Sequence, residues 1–117
     1  MFSLSKSLLA VVLGATGAFS SFVVDTPENQ VHAGAPLTVR WTSSAGDPVF
    51  SLELVDVTSV AKKVVLANNV DPSADHITVI IPKSVSTKDA FVLSFVEPAQ
   101  SNAVLVETAE FTIAPAA

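Results

Sequence analysis

The sequence has 117 residues and no cysteine, which excludes disulfide staples, thiol catalysis and thiolate metal sites. Asp and Glu number 11 against 6 Lys and Arg, for a net charge of −5, and that balance argues against nucleic acid and anionic lipid, which demand clustered cations. With 50% of its residues hydrophobic, the chain depends on apolar packing for its stability.

Residues 1–20 read as a secretory signal peptide. A single cation, Lys6, precedes an apolar run from Leu8 to Leu13, and small residues then lead to Ala18-Phe19-Ser20, an acceptable cleavage pattern before Ser21. The run is broken by Gly14, Thr16 and Gly17, so it falls short of the ~20 apolar residues that a bilayer crossing needs. Residues 21–117 are then expected to form one exported domain without membrane insertion. Lys62-Lys63 is the only basic pair, and a solvated turn accounts for it.

Along this domain, Pro27, Pro36, Pro48, Pro72, Pro82 and Pro98 all stand between apolar runs. Proline cannot donate to a sheet ladder, so this placement marks strand borders. Between the borders, Leu37, Val39 and Trp41 share one parity and Thr38, Arg40 and Thr42 the other. Phe50, Leu52 and Leu54 likewise oppose Ser51, Glu53 and Val55. A shorter run, Val64-Val65-Leu66, ends at Asn68-Asn69, where asparagine suits the positive backbone angle of a tight turn. Ile77, Val79 and Ile81 lead to Pro82; Phe91, Leu93 and Phe95 lead to Glu97-Pro98; Phe111 and Ile113 close the pattern. Period two over short segments predicts half-buried strands, and no stretch of ten or more residues in this region has helical spacing. About seven such strands predict an all-β fold, an antiparallel β-sandwich. The expected core is Leu37, Val39, Trp41, Phe50, Leu52, Leu54, Ile77, Val79, Ile81, Phe91, Leu93, Phe95, Phe111 and Ile113.

Trp41 is the only tryptophan, and there is no tyrosine. Its parity with Leu37 and Val39 sends the indole inward, and the same test consumes every aromatic of the domain except Phe22. No exposed platform for stacking a pyranose ring is left. Binding of a polysaccharide would rest on polar side chains and backbone groups.

A recognisable order of features runs through the domain: VVDTP, then VHAGAPLTVRWTSS, the strand FSLELVDV, a turn at ANNV, DHITVIIPKSVSTKDAFVLSF and a final EFTI. The A-G-x-P-hydrophobic-T-hydrophobic-x-W core at Ala33 to Trp41, the strand ending Ile81-Pro82-Lys83-Ser84, and Phe111-Thr112-Ile113 carry the likeness. The sequence resembles the N-terminal immunoglobulin-like module of fungal Ser/Thr-rich GPI-anchored cell-wall proteins, found also in the yeast KRE/KNH-type cell-wall synthesis proteins. That resemblance implies an immunoglobulin-like sandwich in an extracellular, non-enzymatic protein linked to the fungal wall, in the yeast case to β-1,6-glucan assembly. The sequence shows no Ser/Thr-rich stalk, no anchor signal and no Asn-x-Ser/Thr sequon, so a stand-alone module is expected.

Catalytic chemistry finds no purchase in the pattern. His32 and His76 lie in a loop and at a strand start, without the converging carboxylate that a metal pair needs. Asp71 and Asp75 could contribute to a calcium site only alongside further converging oxygens. No serine occupies a G-x-S-x-G elbow, and Glu53 and Glu107 lie on outward parity without the groove a glycosidase requires. No catalytic residue, cofactor or metal is therefore expected. Val55, Val57, Ile80, Val92 and Val96, with part of Ala103-Val104-Leu105-Val106, fall on the parity opposite the core. Were these strands neighbours, an apolar face would stand ready for a protein partner or a second copy; bulges or loop cover would hide it. Two functions follow: a secreted, non-catalytic module binding cell-wall polysaccharide or extracellular matrix, and an interaction protein that docks through that face.

Overall fold

Alternation of apolar and polar side chains gives most segments one face to bury, and two such faces closed on each other remove both from water. The computed structural model describes residues 22–27, 30–59, 61–100 and 102–116; the signal segment 1–20 lies outside them. Nine strands are present among the described residues: β1 (Val23–Val24), β2 (Val31–His32), β3 (Pro36–Thr42), β4 (Phe50–Asp56), β5 (Lys63–Val70), β6 (His76–Ile80), β7 (Ala90–Glu97), β8 (Ala103–Glu107) and β9 (Phe111–Ala114). Two single 3₁₀ turns, Pro72–Ala74 and Pro98–Gln100, complete the regular structure.

One sheet has three strands in the order β1-β3-β6, and the other runs β2-β9-β7-β4-β5 with β8 also paired to β7. All pairings are antiparallel except β2 with β9, where Val31 faces Ile113 and His32 faces Ala114 in parallel. Strand β7 must serve two partners on one edge, β8 along Ser94 to Glu97 and β9 at Ala90 and Phe91. Thr108 fills the gap between them. Its hydroxyl accepts from Leu93 N at 3.0 Å and its own N–H donates to Leu93 O at 2.9 Å, so the ladder continues where neither strand reaches.

The core lies between the sheets and is built around four rings. Phe50 and Phe95 stack at 4.2 Å and 7°. Trp41 meets both edge-on at 5.3 and 5.4 Å, and Phe22 does the same at 5.2 and 5.5 Å, the arrangement that ring quadrupoles favour. Val39, Leu52, Leu54, Val79, Ile81, Phe91, Leu93 and Ile113 are buried with them, while Leu37, Ile77 and Phe111 pack against this cluster half-buried. Phe22, unassigned by parity, thus belongs to the core. Trp41 is 3% exposed, and its Nε1–H donates to Pro72 O at 2.8 Å, a carbonyl that also accepts from Ser43 Oγ at 2.9 Å. The indole is satisfied in both its apolar body and its polar tip.

Three expectations need correction. Asn68-Asn69 do not end a strand, because β5 runs on to Val70. Leu52 pairs with Ala67 and Phe50 with Val70, so the positive φ of 54° at Asn69 serves a bulge rather than a hairpin turn. The outward apolar face is also not formed. Val92 and Val96 are 8% and 3% exposed, since β7 is the central strand and its outer side chains are flanked by cross-strand neighbours: Val55 beside Val92, Ser51 and Val104 beside Val96. Val55 and Val57 are half-buried, and Ile80 stands apart on the other sheet at 61% exposure. Finally, Leu105 and Val106 are both buried in the core, because a register shift in β8 opposite Phe95 and Val96 breaks the simple alternation.

Candidate binding site

Two connections meet at one end of the sandwich. Antiparallel pairing of β4 with β7 sets Asp56 opposite Phe91, which brings the β4–β5 turn beside the segment 81–89 that links β6 to β7. Pairing of Pro36 with Ile80 places the β2–β3 turn at the same end, and Gly34 N–H donates to Ile81 O at 2.7 Å there. Gly34 has φ +79°, and a Cβ on it would lie 2.8 Å from Lys83 Cγ, so both its conformation and the close packing of Lys83 call for glycine.

Each connection is fixed by its own hydrogen bonds. Asp56 Oδ1 accepts from Thr58 N at 2.9 Å and Thr58 Oγ1 at 2.6 Å, while Asp56 N–H donates to Lys62 O at 3.2 Å and Lys62 N–H to Ser59 O at 2.7 Å. On the facing segment, Ser86 Oγ accepts from Lys88 N at 3.1 Å and Asp89 N at 3.3 Å. Val57 N–H donates to Ala90 O at 3.0 Å and joins the two connections.

Between them is an open cleft of about 370 Å³. Leu54, Val64, Val85 and Phe91 supply apolar lining, and Asp56, Lys62, Lys63, Ser84 and Ser86 supply polar groups. The Thr58 hydroxyl holds the Asp56 carboxyl below its ordinary 3.8 against the opposing effect of burial; the Asp89 side chain, the Thr58 N–H and the charge of Lys62 add to the lowering. Asp56 is therefore an anion at neutral pH whose acceptor capacity is largely taken up by its own turn. Lys63 Nζ lies 3.9 Å from Glu53 Oε1.

Elsewhere the chemistry-bearing residues are dispersed or structural. His32 Nδ1 is 3.0 Å from Pro115 O at the cleft end of the sandwich, whereas His76 begins β6 opposite Arg40. Asp71 Oδ1 accepts from Ser73 N at 2.9 Å and Ser73 Oγ at 2.8 Å as the cap of a 3₁₀ turn, bonds that lower its pKa, and Asp75 closes that turn with φ 70°. Glu53 and Glu107 flank Ser94 of β7 from its two sides in the six-stranded sheet, and burial pushes Glu107 upward from its ordinary 4.5. Among the described residues no group of three or more His, Asp or Glu converges as a metal site, and no helix is long and apolar enough to cross a membrane.

Lys62 and Lys63 form the only basic pair in the sequence, yet segment 81–89 adds Lys83 and Lys88 to the same end. No local pattern announces that convergence; it comes from strand pairing between distant segments. Compared with known proteins, residues 25–113 match the family profile described as the Kre9/KNH-like N-terminal Ig-like domain. No curated protein and no solved structure matches the chain.

Proposed function

The chain belongs to the Kre9/KNH-like N-terminal Ig-like domain family, which is linked to fungal cell-wall synthesis, and from that premise we propose a secreted, non-catalytic module that binds polysaccharide of the cell wall or extracellular matrix. The family match over 25–113 carries the reading. Burial of Trp41, Phe22, Phe50 and Phe95 in one cluster supports its manner: recognition falls to polar side chains and backbone at the end cleft, with no exposed aromatic platform among the described residues. Contacts of this kind yield weak retention on an extended polymer, strengthened when many sites are engaged together.

Sedimentation of the purified protein with insoluble β-glucan and with chitin tests the proposal. Retention at low salt on one of them is the expected result; recovery of all the protein in the supernatant of both defeats the wall-polysaccharide reading. Docking of a protein or a second copy through the apolar face centred on Val92 and Val96 loses its basis, since those side chains are buried.

A further inference from the structure

An acidic chain has gathered its cations in one place. Of the 6 Lys and Arg in the sequence, Lys62, Lys83 and Lys88 lie on the two connections at the cleft end and Lys63 opens β5 beside them; Lys62 and Lys63 line the cleft itself. The connections at the opposite end, residues 43–49, 71–75 and 98–102, contain Asp47, Asp71 and Asp75 and no Lys or Arg. The molecule is polarised, and a field of this shape attracts and orients an anion toward the cleft.

The groups facing the cleft divide in the same sense. Asp56 is engaged by Thr58, and Lys63 is held near Glu53. Lys62, whose charge reaches Asp56, forms no ion pair within 4.0 Å among the described residues, and Asp89, which bonds the Asp56 side chain, is the one further carboxylate on the connections. Ser86 Oγ accepts two backbone N–H groups, which leaves its O–H to donate outward. Val85 and Val64 offer an apolar surface that suits the C–H face of a sugar ring. A volume of about 370 Å³ falls within the range of about 300–1,000 Å³ in which proteins hold small ligands.

We propose that the end cleft is an anion-selective subsite that takes a saccharide unit bearing a phosphate ester or a carboxylate. This rests on the reading of the protein as a wall-polysaccharide binder and names the chemical class that it selects. Ammonium groups at Lys62 and Lys63, both of which line the cleft, meet the anion, and the serine hydroxyls meet the sugar.

Retention of the purified protein is to be measured across a salt series on three supports: a neutral β-glucan, the same glucan carrying phosphate esters, and polygalacturonate. The phosphorylated support is expected to hold the protein about tenfold more tightly than the neutral one at low salt, with the gain vanishing as salt rises. A gain confined to polygalacturonate upholds the subsite with carboxylate as its anion. The pair Lys62→Ala and Lys63→Ala should erase the gain, whereas Arg40→Glu, which changes net charge equally from the other sheet, should keep it; unchanged Trp41 emission verifies that both fold. Equal retention on neutral and charged glucan, or a gain that survives the lysine pair, overturns the subsite and leaves wall binding standing. Failure to bind any support removes both.

Discussion

Trp41 shows how one side chain can decide what a small domain is able to bind. Its ring edges onto the Phe50–Phe95 stack, and its N–H is taken by Pro72 O, so nothing of it is left for a ligand. Truncation to alanine should cost about 3–5 kcal/mol through the cavity it opens, whereas Trp41→Phe should cost less, because Ser43 still donates to the Pro72 carbonyl. Urea titrations followed by circular dichroism check the order of the two. A second residue-scale expectation concerns acid. Since Asp56 titrates below its ordinary 3.8 in the folded chain, it contributes stability that is fully present above that value and is lost as pH falls through the lower folded one. Thr58→Val removes the hydroxyl donor and so should lower the melting temperature at neutral pH. The two proteins should converge in strong acid, where Asp56 is protonated in both states; a difference that persists unchanged there would refute the assignment.

At the scale of strands, the decisive positions are those where pairing changes hands. Thr108 bonds Leu93 N from 1% exposure, and Thr108→Val keeps its shape while leaving that N–H without an acceptor, at an expected cost of about 1–3 kcal/mol. Hydrogen exchange at Leu93 should accelerate more than at Leu54, which has its own strand partners. Val92→Lys places an ammonium among the flanked side chains of the central strand and should destabilise by about 1–3 kcal/mol; a variant as stable as its parent in thermal melts would return Val92 to the exterior. The pattern that foretold β3, β4, β6, β7 and β9 was alternation between prolines, and it worked because β3 pairs with β6 and β4 with β7 without a register slip. It failed where register slips. Asn69 in β5 spends its positive φ on a bulge, and the irregularity in β8 turns Leu105 and Val106 both inward. Strands β1 and β2, two residues each, are too short to carry a period at all. Of the site, the apolar residues Leu54 and Phe91 were legible as core and Lys62-Lys63 as a pair, but the cleft itself depends on which turns become neighbours.

For the whole molecule, a single core joins both sheets, since β1, β3 and β6 contribute Val24, Trp41 and Val79 to the same cluster as Phe50, Leu93 and Ile113. Unfolding should therefore be all-or-none. Trp41 emission, which reports the interior, and far-ultraviolet circular dichroism, which reports the strands, should give one coincident transition in urea; two separated transitions would mean that the sheets part before they melt. The parallel pair β2–β9 has a mechanical consequence. Its strands run in the same direction, Val31 beside Ile113 and His32 beside Ala114, with Ala33 N–H reaching Ala114 O at 2.9 Å and His32 Nδ1 lying 3.0 Å from Pro115 O. Tension drawing the chain before β2 and the chain after β9 apart loads these bonds together, sliding one strand along the other instead of peeling them open one by one, a geometry suited to a domain held in a stretching polymer network.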